Sequence, residues 1–351
     1  MTASAKDREP DGPIYPFADP APIGEPFTVA PGVEWLRMPL PFALDHINLW
    51  LVADGDGWTL IDSGLATDPI KAVWRELFAT RFSTAPARRL MLTHFHPDHV
   101  GLAGWLEAEY GVGLWTSNVS FMVTQLAWLD QGKDREAARL AHFTAHGVDP
   151  AAADAMLEVF RHYPRDVSRP PLGFTRIDDG ERVRIGDHDW IAMNCEGHAT
   201  GHLCFHCPTL GVLIAGDQVL PRITPNISAW EEQPDDDPIA DFVASLKRLA
   251  ALPEDSLVLL SHGLPYYGLR PRVAALINHH DERLTEIRGL CAAPRTAMSL
   301  LPKLFRPGLD PFQSALALGE VIAHLNWLTK RGQVVRETGP DGLIRFEDSL
   351  A

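Results

Sequence analysis

The sequence has no long apolar run and few cysteines, and both absences limit what the protein can be. No stretch of about 18 consecutive apolar residues occurs, so we expect no membrane-spanning helix and no membrane partner. Residues 1–26 contain proline and acidic residues but no apolar core segment, so we expect no secretory signal and a cytoplasmic location. The 351 residues include 4 cysteines, which is typical of a reducing compartment. Cys204 and Cys207 form a CxxC, for which a structural role is favoured over a redox or zinc site.

Basic residues are also fewer than acidic residues, 31 against 46. The formal net charge is -15 at pH 7, which argues against a general polyanion binder but leaves a local basic groove open. Hydrophobic residues make up 46% of the chain. That fraction is sufficient for one large domain, or for a domain with a small appendage.

Potential metal ligands are concentrated in one short segment that follows a predicted buried strand. His94, His96, Asp98 and His99 fall within six positions, and Pro97 stiffens the turn between them. His94 and His96 lie two apart in an extended run, so they point the same way and can chelate one ion. Asp98 and His99 follow the turn and are available to a second ion. A polar loop with unrelated histidines is the alternative, and it is weaker because similar ligands recur later.

Three later residues occur in matching contexts. His198 lies in a loop between glycines, which allow the backbone to approach a metal closely. Asp217 follows a fully apolar predicted strand, where an uncompensated carboxylate would be costly and a carboxylate between two cations would not. His262 likewise follows an apolar strand. The same order of strand and then ligand therefore occurs three times.

These motifs resemble the signature of the metallo-β-lactamase-fold hydrolases. The resemblance covers roughly residues 30 to 265, and four separated motifs occur in the order of that family. They are HxHxDH at 94–99, GHATGH at 197–202, AGD at 215–217 and SHG at 261–263. The resemblance implies an α/β (α+β) fold, an αββα sandwich with two metal ions at one edge.

The resemblance also implies a role for each candidate ligand. The residues expected to hold the first ion are His94, His96 and His198. The residues expected to hold the second ion are Asp98, His99 and His262, with Asp217 bridging the two ions. Nitrogen and oxygen donors of this kind suit zinc best and also admit manganese, iron or cobalt. A hydroxide shared by the two ions would be the nucleophile, with Asp98 and Asp217 as the catalytic residues.

Residues around the ligands have expected supporting roles. In the resembled family, the Asp of an Asp-Ser/Thr-Gly step lies behind the ligands, so Asp62 is expected to hold an imidazole N–H. A simple turn residue is the alternative for Asp62. His46 is either a residue of the site mouth or a strand-edge residue. His202 is expected to be structural. The candidates for substrate contact are Arg222, Asn226, Tyr266 and Tyr267.

The predicted elements divide the chain into four parts. Residues 1–26 are expected to form an irregular arm and residues 27–268 the metal-binding domain, with a helical cap inserted at 118–168. Residues 269–351 contain three predicted helices and a hairpin, which resemble a winged helix. This arrangement resembles the lactamase-beta-2-like branch of the family, whose characterised members include an endoribonuclease. Basic and acidic residues are nearly balanced in this last part, so packing or a homodimer is favoured over nucleic acid.

The substrate class stays open between several electrophiles. Apolar residues of the predicted cap favour a small acyl substrate, namely a carboxylic ester, a thioester or a lactone. These residues are Phe121, Met122, Leu126, Trp128 and Phe143. The second interpretation is a metal-dependent endoribonuclease or phosphodiesterase. A redox-active iron protein on the same fold is the alternative from another class, and His96 argues against it because known diiron members carry glutamate there.

Overall fold

Two β-sheets pack face to face and helices cover both outer faces, which confirms the expected αββα sandwich. The computed structural model describes residues 12–42, 44–129, 132–161 and 163–350. Within 12–26, Ile14 pairs with Tyr267 and Ile23 pairs with Arg37. The rest of the predicted arm, residues 1–11, lies outside the described residues.

The first sheet has seven strands in sequence order. They are β1 (Phe27–Ala30), β2 (Val33–Pro39), β3 (His46–Asp54), β4 (Gly57–Ile61), β5 (Ala87–Met91), β6 (Gly113–Thr116) and β7 (Thr175–Arg176). The pairs from β1 to β4 are antiparallel and those from β4 to β7 are parallel. Strands β3 and β4 are joined by a tight turn, in which Asp54 pairs with Gly57 across Gly55 and Asp56.

The second sheet has five strands in the order β12-β11-β10-β9-β8. They are β8 (Arg182–Ile185), β9 (His188–Asn194), β10 (Leu203–Cys207), β11 (Val212–Gly216) and β12 (Leu257–Leu260). The β11–β12 pair is parallel, so the chain must cross over the sheet between them. Helix α8 (Pro238–Ala250) makes that crossover.

Eight helices of the described chain precede residue 262. They are α1 (Asp68–Ala79), α2 (Pro97–Val100), α3 (Ala103–Tyr110), α4 (Asn118–Leu129), α5 (Lys133–Ala145), α6 (Pro150–Phe160), α7 (Tyr163–Asp166) and α8 (Pro238–Ala250). Helices α2 and α3 are separate, with the break at Gly101 and Leu102. The Leu102 N–H donates to Gly64 O and Ser63 Oγ instead of continuing the first helix.

Alternating side chains of the strands separate two apolar layers. The Trp50 side chain points between the sheets, where its ring lies 6.2 Å from that of Trp35. Its neighbours Leu49 and Leu51 point to the other face, where they pack in one cluster with Trp74 of α1. This period of two is what a strand buried on both faces requires.

The C-terminal part consists of three helices and a hairpin. They are α9 (Leu269–Leu290), α10 (Ala297–Leu304), α11 (Pro311–Lys330), β13 (Val334–Thr338) and β14 (Ile344–Asp348). Most of α11 is buried, and it shares an apolar cluster with the outer face of the second sheet. Among the described residues, no helix has the length and apolarity that crossing a membrane requires.

The helices predicted as a cap pack in two directions. Phe143 of α5 and Met156 of α6 are buried in the same apolar cluster as Leu318 of α11. Phe121 of α4 instead packs in the cluster beside the first sheet. The Tyr163 hydroxyl of α7 donates to Phe95 O in the ligand-bearing segment. The insert therefore connects the ligand segment to the C-terminal helices.

Candidate metal centre

The seven predicted ligands meet at one edge of the sandwich because each follows the end of a strand. The loop after β5 carries His94 and His96, and α2 carries Asp98 and His99. The β9–β10 loop carries His198, and β11 and β12 lead into Asp217 and His262. Three groups have ligand atoms within 4.8 Å of one another. They are His94, His96 and His198; His94, His99 and Asp217; and Asp98, His99 and His262.

Several buried polar atoms at this point have no hydrogen-bond partner within the described chain. They are His99 Nε2, His198 Nε2 and Asp217 Oδ1. His99 Nε2 lies 3.6 Å from Asp217 Oδ1, and His198 Nε2 lies 3.5 Å from Asp217 Oδ2. Leaving buried polar atoms unpaired is costly. Divalent cations held between these side chains would satisfy all three atoms, so the residues present fit such ions.

In three histidine rings, the nitrogen that points away from the centre, Nδ1, lies against a protein acceptor. The Nδ1 atoms of His198 and His262 lie 2.9 Å from Asn226 O and His46 O. Because a carbonyl oxygen only accepts, each Nδ1 carries a proton, and a neutral ring then presents an unprotonated Nε2 to the centre. Nδ1 of His99 lies 2.8 Å from Asp62 Oδ2.

Thr93 connects the carboxylate of Asp62 to two ligand rings. The Thr93 N–H and hydroxyl lie 2.8 Å from the two oxygens of Asp62. The same hydroxyl lies 3.0 Å from His94 Nδ1 and 3.1 Å from His99 Nδ1. Thr93 was not among the predicted site residues, although its position just before the first ligand was a usable signal.

The charges of the site favour a cation. Burial lowers the pKa of His96 to about 3, and the nearby His198 acts in the same direction, so that ring is neutral. Burial raises the pKa of Asp98, but His99 and His262 outweigh burial and bring it to about 2. Burial lowers the pKa of His262, but Asp217 and Asp98 outweigh burial and bring it to about 10. The two carboxylates therefore attract positive charge here, whether an imidazolium or a metal carries it.

His202 and His46 support the centre without belonging to the ligand groups. The His202 ring stacks 4.8 Å from the His94 ring, and its Nε2 lies 3.4 Å from the Asp217 N–H. This agrees with the structural role expected for His202. A Cβ at Gly216 would come within 2.6 Å of His202 Nε2, so only glycine fits there. The backbone carbonyl of His46 accepts from His262 Nδ1, and its ring nitrogen Nε2 accepts from the Gly263 N–H.

The four expected substrate contacts are placed differently from one another. Arg222 is exposed on the loop after Asp217, with its guanidinium 5.6 Å from the Tyr15 ring. Tyr266 is fully buried and its hydroxyl donates to Val219 O, so the structure contradicts a substrate contact there. The reason is that Tyr266 and Val258 form a backbone bridge beside the sheet.

The other two candidates have protein partners. The side chain of Asn226 donates to Leu316 O and accepts from Ser228 Oγ, which indicates an anchoring role in place of a substrate contact. The backbone of Tyr267 pairs with Ile14, and its side chain is half-buried.

The apolar residues predicted to line a pocket are mostly used in packing. Phe143 is buried and Phe121 stacks on Phe174 at 4.0 Å, so neither is free for a ligand. Trp128 Nε1 donates to Val167 O. Met122 and Leu126 remain 54% and 52% exposed. The predicted apolar pocket is therefore reduced to these last two residues.

Comparison with known proteins agrees with this geometry. Residues 43–262 match the Metallo-beta-lactamase superfamily, and residues 284–349 match the family described as Metallo-beta-lactamase-like, C-terminal domain. A beta-lactamase domain protein from Burkholderia ambifaria is 42% identical, with a TM-score of 0.88 over 96% of this chain and 98% of that chain.

Two curated relatives extend the comparison. A probable metallo-hydrolase of Bacillus subtilis is 26% identical over 299 residues, which are 84% of this chain and 91% of that protein. A hydroxyacylglutathione hydrolase of Cereibacter sphaeroides is 32% identical over 133 residues, which are 36% of this chain and 46% of that protein. With strand-end ligands in the order of the family and a match across most of the sandwich, the chain belongs to the metallo-β-lactamase superfamily and is a metal-dependent hydrolase.

Proposed function

We propose that this hydrolase uses a dinuclear metal centre to cleave an acyl substrate, with thioesters ahead of carboxylic esters and lactones. The observation that carries the proposal is the set of unpartnered buried atoms on His99, His198 and Asp217, which face one another at the sheet edge. Seven side chains arranged in this way have no comparable structural purpose, because apolar packing would be more stable than buried unpaired polar groups.

The proposed ligands follow the groups that the fold brings together. The first ion would be held by His94, His96 and His198. The second would be held by Asp98, His99 and His262, with Asp217 between the ions. When bound, zinc or another divalent ion would lower the pKa of water and polarise the carbonyl oxygen of the substrate.

The chain itself orients the reactants. Among the carboxylates of the site, Asp98 is the more accessible, with 20% of its side chain exposed against 10% for Asp217. Its Oδ2 faces the other side chains proposed for the second ion, so its second oxygen is proposed to orient the attacking water. The protons on His198 Nδ1 and His262 Nδ1 stay with backbone carbonyls, so these rings keep their orientation throughout the reaction.

The thioester preference rests on relatives of part of the chain. Hydroxyacylglutathione, named in the Cereibacter relative, is a thioester, and the match covers 36% of the present chain. The exposed Met122 and Leu126 add apolar surface that an acyl group could cover. Arg222, exposed on the loop after Asp217, is a proposed contact for a negatively charged part of the substrate.

The burial of α11 argues against nuclease activity as the primary function. A winged helix presents its third helix to the nucleic acid groove, and α11 would be that helix here. Its buried face includes residues along its length, from Ala315 to Leu328. Together with the net charge of -15, this burial favours packing, or contact with a second copy, as the role of the C-terminal part.

The proposed location of the protein is the cytoplasm.

A substrate panel tests the proposal directly. Metal-loaded protein is assayed against an S-acyl thioester, a phenyl ester, a lactone and a short single-stranded RNA. We expect thioester hydrolysis to be fastest and to disappear in Asp217→Ala. RNA cleavage without hydrolysis of any acyl compound would replace this proposal with the phosphodiesterase interpretation.

A further inference from the structure

The loop that follows Asp217 lies against the C-terminal helix α11, although the two are about ninety residues apart in sequence. Three backbone or side-chain contacts join them. Ala229 N–H donates to Gly319 O, Asn226 Nδ2 donates to Leu316 O, and Ser228 Oγ lies 3.4 Å from the same Leu316 oxygen. The loop belongs to the region matched by the catalytic family, whereas α11 belongs to the region matched by the C-terminal family.

Asn226 is the residue at which this contact reaches the metal centre. Its backbone oxygen lies 2.9 Å from His198 Nδ1, while its side chain is fixed at both ends. The amide nitrogen donates to Leu316 O at 3.2 Å, and the amide oxygen accepts from Ser228 Oγ at 2.6 Å. The carbonyl that orients the His198 ring is therefore held by a side chain anchored on α11.

Gly319 makes the close approach possible. A Cβ at this position would come within 2.6 Å of Ser228 Oγ, 2.8 Å of Ser228 Cβ and 3.2 Å of the Trp230 ring. Separations under about 3 Å between such atoms cannot be accommodated without movement, because packed interiors contain few voids. Gly319 lies within a helix, where glycine is otherwise disfavoured by about 1 kcal/mol relative to alanine. Its presence there has a packing reason.

We propose that α11 is a positioning element of the metal centre, which fixes the ring of His198 through Asn226 and keeps the loop in place through Gly319. This inference rests on the proposed role of His198 as a metal ligand. It gives the C-terminal part a task in the hydrolase that requires neither nucleic acid nor a second copy. Asn226 acts through His198 and is a positioning residue, not a catalytic one.

Removal of such outer partners typically lowers metal affinity ~10–100-fold. In Asn226→Ala the backbone carbonyl remains but loses its anchor, so we expect a loss of at least ~10-fold in cobalt(II) affinity. In Gly319→Ala the displaced Ser228 should have the same effect. The visible spectrum of bound cobalt(II) should also change in both variants, because it reports ligand geometry and not stability.

Gly289→Ala provides a matched control. Gly289 lies in helix α9 of the same C-terminal part, and a Cβ there would meet no atom within 4 Å. This variant should keep the cobalt(II) affinity and spectrum of the unchanged protein. A second control, Leu300→Ala, removes a buried side chain of α10. It should lower the melting temperature without changing the cobalt(II) spectrum.

The experiment is cobalt(II) titration of the full-length protein against a competing chelator, with His198→Ala as a further arm. The inference is overturned if His198→Ala weakens binding while Asn226→Ala keeps the affinity and spectrum of the unchanged protein. If His198→Ala itself binds cobalt(II) normally, the proposed centre fails and the inference fails with it. If Gly319→Ala does not fold, the cobalt(II) affinity and spectrum of Asn226→Ala decide the inference.

Discussion

The contact between Asp62 and His99 allows a prediction about which nitrogen of that ring carries the proton. Asp62 accepts hydrogen bonds from the Thr93 N–H and hydroxyl, and its Oδ2 lies 2.8 Å from His99 Nδ1. In Asp62→Asn the amide oxygen must stay opposite the Thr93 N–H. The amide NH₂ then faces His99 Nδ1, which must accept, so the ring proton moves to Nε2.

That change removes the lone pair that the centre needs. His99 Nε2 faces Asp217 Oδ1 at 3.6 Å, and a protonated nitrogen cannot ligate a metal. We expect metal affinity to fall ~10–100-fold, which corresponds to about 1.4–2.7 kcal/mol. Asparagine is preferred to alanine for the test because Asp62 has a φ of 63°, a left-handed conformation that asparagine tolerates better than other side chains.

Asp54→Asn is a control of closely similar chemistry. Asp54 is also buried, and it accepts from a threonine hydroxyl, Thr59, from the backbone N–H of Gly186 and from Arg89. It is not a member of the ligand groups. Both variants should lose stability, because each loses charge-assisted hydrogen bonds worth about 1.5–3 kcal/mol.

The assay is competition with a chromogenic chelator for zinc, together with urea unfolding of the same samples. Only Asp62→Asn should bind metal more weakly. Normal zinc affinity in Asp62→Asn would refute the argument that the carboxylate sets the His99 tautomer.

Two further predictions concern the substrate. Tyr266→Phe should lower the free energy of unfolding by about 1 kcal/mol, because Val219 O loses its donor, and it should leave KM unchanged. Urea unfolding and steady-state kinetics check this, and a raised KM would return Tyr266 to the substrate site. In a series of acyl thioesters, each added methylene that becomes buried should raise kcat/KM about fourfold, from about 0.8 kcal/mol per methylene. The rate should change little between low and moderate salt. No dependence on chain length, or a steep loss with salt, would count against an acyl substrate.

The ligand residues were predictable because their signal is local. His94 to His99 form one contiguous motif, and strands that read as apolar runs lead into Asp217 and His262. These features depend on periodicity and on short spacing, which a sequence displays directly.

The supporting contacts were not predictable in the same way. His262 Nδ1 meets His46 O across 216 positions, and Asn226 meets Leu316 across 90. Every residue has a backbone carbonyl, so the residue type does not show which carbonyl will accept the hydrogen bond. Tyr266 was wrongly predicted to contact the substrate because it lies close to His262 in the sequence. Its backbone bridge to Val258 instead places the ring in the core. The packing of α6 on α11 likewise joins segments that lie far apart in the sequence.

Counting the bound metal decides whether two metal ions occupy the edge of this sandwich. Protein purified without chelators is analysed for zinc, manganese, iron and cobalt per chain. The ligand set predicts about two ions in total, since seven side chains form three overlapping groups in which His94 and His99 each occur twice. A total of one ion or fewer, unchanged after dialysis against zinc, would contradict a dinuclear centre.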